Sequence, residues 1–310
     1  MATYGGTSGR NPCLTRGDCI GCHAYNSGGG ANEVSIGGSL VPQVWHAGTD
    51  LAAGNFKYIA TDTDDAKGHN VAAIAVESTI TTSPPGDEHS SGITTDLTCA
   101  GVKGCHGDRG VTDETTSVKG AHHGNVNGLI NAATSTGEVA DSYRFLKGVY
   151  GHENMHATYK YQNYNTQYHN EYWGNVSATE GTSATAPAGN TISGLCGECH
   201  GTFHGDADIG GDTSSPFTRH PTDVVLKGSG EYTNYTTYSV VAPVARTDIT
   251  TVNTAGVNNL VAPGGNAVIM CLSCHGAHAT NYYKMMRWDY KNASLLTALE
   301  GCVVCHTSKD

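Results

Sequence analysis

Four times along this chain, two cysteines separated by two residues are followed directly by histidine: Cys19-Ile-Gly-Cys22-His23, Cys196-Gly-Glu-Cys199-His200, Cys271-Leu-Ser-Cys274-His275 and Cys302-Val-Val-Cys305-His306. This is the spacing by which c-type haem is attached. Two thiols add across the porphyrin vinyl groups, and the next residue brings a neutral imidazole to the iron. A zinc site would want two knuckles, or one knuckle with spaced histidines, and has no need of histidine after every second cysteine. A disulfide scaffold is disfavoured in a chain of 310 residues whose cysteine pairs are so closely spaced. Any fold built on these units must wrap several large, flat, rigid groups.

Composition agrees. Leu, Ile, Val and Phe supply only 51 residues (13, 11, 23 and 4), about 16% of the chain, and the formal net charge is −11. That is below the ~20% at which a highly charged chain reads as disordered. Yet the chain carries 16 Tyr, 3 Trp, 16 His and 11 Cys, which a disordered tail would not need. Covalent haems, each an apolar plate larger than any side chain, are expected to supply the missing core. The acidic balance, with 17 Lys plus Arg, excludes a nucleic-acid binder. No apolar run approaches a transmembrane span; Val71 to Val76 is far too short. Met1 to Gly6 has neither the basic nor the apolar stretch of a signal peptide, so export is expected from the haem chemistry instead.

A fifth unit is Cys99-Ala-Gly-Val-Lys-Gly-Cys105-His106-Gly107, with five residues between the cysteines. Its Cys-His-Gly ending matches those at Cys199 and Cys274. It is either a fifth haem site with an expanded loop or a local Cys99–Cys105 disulfide. The count favours the haem: five haems leave one odd cysteine, Cys13, and four would leave three. Cys13 is either a free thiol or an intermolecular disulfide partner.

Five proximal histidines (His23, His106, His200, His275 and His306) create demand for five further axial ligands. Methionine is scarce, so bis-His ligation is expected, with lower potentials than His/Met and no open iron position. The expected distal ligands are His69, His204, His220 and His278, with at least one of His122 and His123. His204 and His278 follow their own proximal histidines too closely to reach the opposite face of the same haem, so each is expected to serve a neighbour. His46, His89, His152, His156 and His169 are better read as ordinary buried or surface imidazoles.

Between the motifs the chain is rich in Gly, Thr, Ser and Asn. Short helices are expected over Asp141–Tyr150 and Ala293–Leu299, and hairpins over Glu33–Trp45 and Val224–Val268. The expected fold is a multihaem cytochrome c, one domain over 1–310, loop-rich with few short helices and β-hairpins, folded around a chain of closely packed covalent haems. Asn175, Asn234 and Asn292 begin glycosylation sequons.

Several connecting phrases resemble the extracellular multihaem cytochromes c of metal-reducing bacteria and archaea, including those that polymerise into conducting filaments. They are Leu51-Ala-Ala-Gly-Asn-Phe-Lys-Tyr58, Lys67-Gly-His-Asn-Val71, Ser142-Tyr-Arg-Phe-Leu-Lys-Gly148, Cys271-Leu-Ser-Cys-His-Gly-Ala-His-Ala279 and Met285-Met-Arg-Trp-Asp-Tyr290. The resemblance implies extracellular electron transfer through stacked bis-His haems and supports His69, His204, His220 and His278 as distal ligands. It also implies a homopolymer in which one subunit can ligate a haem of the next, and redox partners or extracellular electron acceptors. Two other functions share the motifs. A multihaem reductase would need one open iron, with His152, His156 or Tyr159 beside it. A monomeric periplasmic shuttle would differ only in assembly.

Overall fold

The structure is a computed structural model that describes residues 19–24, 33–36, 39–48, 51–60, 67–74, 84, 97–118, 139, 142–154, 156, 158–159, 161–175, 190–200, 220, 222–249 and 259–308. Cys13, His89, His122, His123 and His204 lie outside these residues.

Regular elements are short. Among the described residues the helices are α1 (Ile20–His23), α2 (Lys57–Ala60), α3 (Glu114–Ser117), α4 (Ile192–Gly197), α5 (Leu295–Ala298) and α6 (Cys302–Cys305). Strands β1 (Glu33–Ile36) and β2 (Ser39–Pro42) form the expected hairpin, with Glu33 opposite Pro42. Strands β3 (Gly151–His152) and β4 (Glu171–Tyr172) pair antiparallel. The Val224–Val268 region yields a three-stranded antiparallel sheet in the order β5 (Val224–Val225), β7 (Ala267–Ile269), β6 (Ala245–Arg246).

The central strand divides the apolar core. Successive side chains of a strand point to opposite faces. Val268 joins Tyr143, Leu146, Tyr172 and Leu195 on one side, while Ala267 and Ile269 join Leu226, Tyr235, Tyr238 and Cys305 on the other. A third cluster, Phe56, Ile59, Val71 and Ala279, joins distant parts of the chain. There Gly68 bridges Ala279, and a Cβ on Gly68 would meet the Ala279 Cβ at 2.6 Å, so only glycine allows this crossing.

Helix α4 shows how one Cys-x-x-Cys-His unit is positioned locally. The Thr191 hydroxyl accepts from Gly194 N at 2.9 Å, capping the helix, and donates to buried Asp223 at 2.8 Å. Ile192 and Leu195 bury one face, which leaves Cys196 presented at the helix end. At the other end of the chain, Trp288 Nε1 donates to Ala298 O, satisfying a carbonyl that α5 leaves unpaired.

One expected helix is absent. Over Asp141–Tyr150 the described residues hold only a 3₁₀ turn, Tyr143–Phe145, in which Arg144 and Phe145 are left-handed (φ 50° and 59°). Tertiary demand overrides the helical pattern: Tyr143 N bonds Val149 O, Gly148 N bonds the Ser142 hydroxyl, and the Arg144 carbonyl turns toward His106. The expected Ala293–Leu299 helix forms as the shorter α5.

Candidate metal centres

All five Cys/His units close the same way. The main-chain N–H of the histidine donates to the carbonyl of the first cysteine: His23 to Cys19 at 3.0 Å, His106 to Cys99 at 3.1 Å, His200 to Cys196 at 2.9 Å, His275 to Cys271 at 3.1 Å and His306 to Cys302 at 3.0 Å. The unit at Cys99 keeps this closure despite its longer loop, because the extra residues fold into a turn of their own. Gly101, at φ +80°, receives the bend, with Gly104 N bonding Gly101 O and Gly101 N bonding His106 O. No disulfide joins any two of the ten described cysteines, Cys99 and Cys105 included.

Burial holds several of the sulfurs neutral. Cys274 is pushed up to about 12 by burial and then by Cys302 and Cys305, and Cys105 to about 11 by burial and then by Cys199. Thiolate metal ligation needs the opposite, a depressed thiol pKa. A thioether carries no charge and suits such surroundings. Cys19, Cys99 and Glu114 bring potential ligand atoms within 4.8 Å of one another, one donor short of a tetrahedral zinc set among the described residues.

The sulfur contacts link successive units. Cys19 lies beside Cys99. Cys199 lies close enough to Cys105 to raise its pKa, and Cys105 close enough to Cys196 to raise that one in turn. Cys196 hydrogen-bonds Cys271, and Cys274 feels Cys302 and Cys305.

The imidazoles show two regularities. The first is on the Nδ1 side, where His23 meets Pro42 O at 2.8 Å, His69 meets Ala277 O at 2.9 Å, His106 meets Arg144 O at 3.0 Å and His275 meets Lys284 O at 2.9 Å. A carbonyl at Nδ1 selects the tautomer with its proton there and leaves the Nε2 lone pair for a metal. Burial lowers the pKa of His69, His106 and His275 and takes His278 down to about 3, which keeps these rings neutral.

The second regularity is the pairing of rings. His69 and His200 have centroids 6.2 Å apart, His106 and His278 6.3 Å, and His220 and His306 6.3 Å. A metal–imidazole bond of about 2 Å plus roughly 1.1 Å from nitrogen to ring centre, on both sides of one iron, gives about 6.2 Å. Each pair joins one motif histidine to one expected distal histidine. His278 faces His106 and not its near neighbour His275. Phe56 stacks on His278 at 4.7 Å and steadies the ring.

The remaining described histidines have other surroundings. His46 Nδ1 accepts from Gly48 N, and His156 Nδ1 accepts from Thr158 N, both in local turns. His169 is buried and stacked on Tyr238 at 3.5 Å. His152 is buried in β3, opposite Glu171.

Sequence reasoning missed the carbonyl clamps. Two have the same build. In Tyr143-Arg144-Phe145 and Tyr283-Lys284-Met285, the second and third residues are left-handed (φ 50° and 59°; 56° and 59°). The carbonyl of the basic residue meets the ring of the motif histidine, and the next carbonyl accepts from Gly107 N or Gly276 N. Non-glycine residues adopt φ near +55° at a cost of roughly 1 kcal/mol each, so the surrounding contacts must hold them there. The recurrent Tyr-basic-apolar triplet was the available signal.

At the first clamp the hold is Glu153, which grips the Arg144 guanidinium through both oxygens at 2.8 and 2.9 Å. Glu153→Ala is expected to cost about 2 kcal/mol, at the low side for a buried pair because Arg144 is partly open. It should loosen the Cys99–His106 unit first. Thermal unfolding and haem content of that peptide check both effects; an unchanged melting temperature would remove Glu153 from the clamp.

No protein-family model matches the chain, and no curated protein does. Two solved structures are similar to it. One is the OmcS nanowire of Geobacter sulfurreducens, 20% identical, with 77% of this chain and 65% of that chain covered and a TM-score of 0.40. The other is the outer membrane cytochrome S filament of the same organism, 18% identical, covering 86% of this chain and 83% of that chain, with a TM-score of 0.42. This chain thus spans just under two thirds of the first. No helix among the described residues is long and apolar enough to cross a membrane.

Proposed function

We propose that this protein is an electron conduit holding five c-type haems, each between two histidines, and that it works outside the cell as the subunit of a cytochrome filament. The observation that carries the ligand reading is the set of three His–His separations of 6.2–6.3 Å, each joining a motif histidine to a distant one. It favours His200 with His69, His106 with His278, and His306 with His220. Bound haem supplies one-electron exchange at its iron. The chain's own residues hold the thioether bonds, present neutral imidazoles and keep the rings oriented through Nδ1.

The sulfur contacts support an order. Attachment points meet in chain sequence, from Cys19 with Cys99 to Cys274 with Cys302 and Cys305. An array laid out in that order would run from the first motif to the last. Two axial histidines per iron leave no position for substrate, which disfavours the reductase reading. His122, His123 and His204 stand as further distal ligands. Polymerisation and extracellular placement are supported by the connecting phrases that resemble filament-forming cytochromes.

Intact mass, visible spectroscopy and imaging of native material test this reading. The expected results are a mass gain of five haems, low-spin spectra and filaments of regular rise. Cys99→Ser with Cys105→Ser should remove one haem mass and leave the others. A wild-type gain of four haems, a high-spin band in the wild type, or dispersed monomers alone would sink the corresponding part.

A further inference from the structure

Of the proximal and distal rings whose Nδ1 partner is seen, four face main-chain carbonyls, those of Pro42, Ala277, Arg144 and Lys284. His306 differs. Its Nδ1 lies 3.0 Å from the Glu231 carboxylate, at ion-pair distance though not as an aligned hydrogen bond. We propose that Glu231 is a positioning residue that sets the last centre apart from the others, stabilising its oxidised state through His306. This rests on Cys302–His306 being a haem-attachment unit.

The placement is built and not incidental. Glu231 sits in the 3₁₀ turn Gly230–Tyr232, and its main-chain carbonyl accepts from both the N–H and the hydroxyl of Thr307, the residue after His306. The Tyr232 ring lies 5.2 Å from the His306 ring. Turn and motif are therefore locked in register, which keeps the Glu231 backbone beside the imidazole its carboxylate faces.

A carbonyl orients an imidazole; a carboxylate also adds a full negative charge and makes the ring a stronger donor through its other nitrogen. Both effects favour the ferric over the ferrous iron and lower its potential. The two side chains are 23% and 25% exposed, so water screens the charge in part without removing it. The electron accounting is simple: one electron enters or leaves one iron, and Glu231 changes only the balance between the two states. One end of an array ordered along the chain would then hold electrons least readily.

The test uses the full-length, haem-loaded protein. Glu231→Gln keeps the shape and removes the charge. A potentiometric titration followed optically should show one potential rising, with a shift in the oxidised-to-reduced ratio at that centre of about tenfold, or about 59 mV for one electron. The low-spin EPR signal that moves should be the one lost in His220→Ala, which strips the same iron of its partner. Glu231→Asp, retaining the charge one methylene further back, should give a smaller rise. If Glu231→Gln loads poorly, Glu231→Asp carries the test on the same potential. Haem content intact with every potential unmoved would overturn the proposal. If the wild-type peptide holding Cys302 and Cys305 carries no haem mass, the underlying reading fails instead, before any variant is made.

Discussion

Made under conditions that block haem attachment, or with its attachment cysteines replaced by serine, the chain will not reach a compact state. For 310 residues the expected radius of gyration is about 60 Å unfolded against about 20 Å folded, so small-angle scattering separates the outcomes cleanly. The physical reason lies in the core. Among the described residues the longest helix has six residues, the sheets have two or three strands, and the apolar clusters are small and separate. Elements this short do not persist alone. Ordering each residue costs roughly 1–2 kcal/mol of backbone entropy, which such clusters cannot offset. A compact, cooperatively melting apo-protein would show that the haems decorate this fold instead of forming its core.

His278→Ala is expected to create an open iron at the Cys99–His106 unit and to spare the Cys271–His275 unit that lies three residues before it. The ring pairing drives this expectation, since His278 sits 6.3 Å from His106. About one haem in five should become high-spin and bind carbon monoxide. Combining His278→Ala with Cys99→Ser and Cys105→Ser should abolish that signal, because the affected haem is then missing. The matching change His69→Ala should open the iron at His200. A high-spin signal that survives the cysteine changes would place the vacancy on another haem and break the assignment.

The hairpin at Glu33–Pro42 and the small sheet between Val224 and Ile269 were legible as alternating runs broken by glycine and proline. The Asp141–Tyr150 segment was not. Its residues suit a helix locally, but a distant imidazole requires the Arg144 carbonyl and the chain bends left-handed to provide it. Similarly, nothing local marks Glu231 as different from the neutral carbonyls that serve the other rings.

By itself the sequence determined what is near: two thiols and one imidazole within a few residues, and a composition poor in the aliphatic side chains of an ordinary core. Thiol spacing and the next side chain suffice because the chemistry closes within one turn. Only the tertiary structure decided which imidazole faces which, which atom holds each Nδ1, and which attachment points touch. Those partners come from far along the chain, as with His69 and the Ala277 carbonyl, 208 residues apart. No local pattern encodes such a meeting. It is settled by the close approach of Gly68 to Ala279 and by the packing that makes that approach possible.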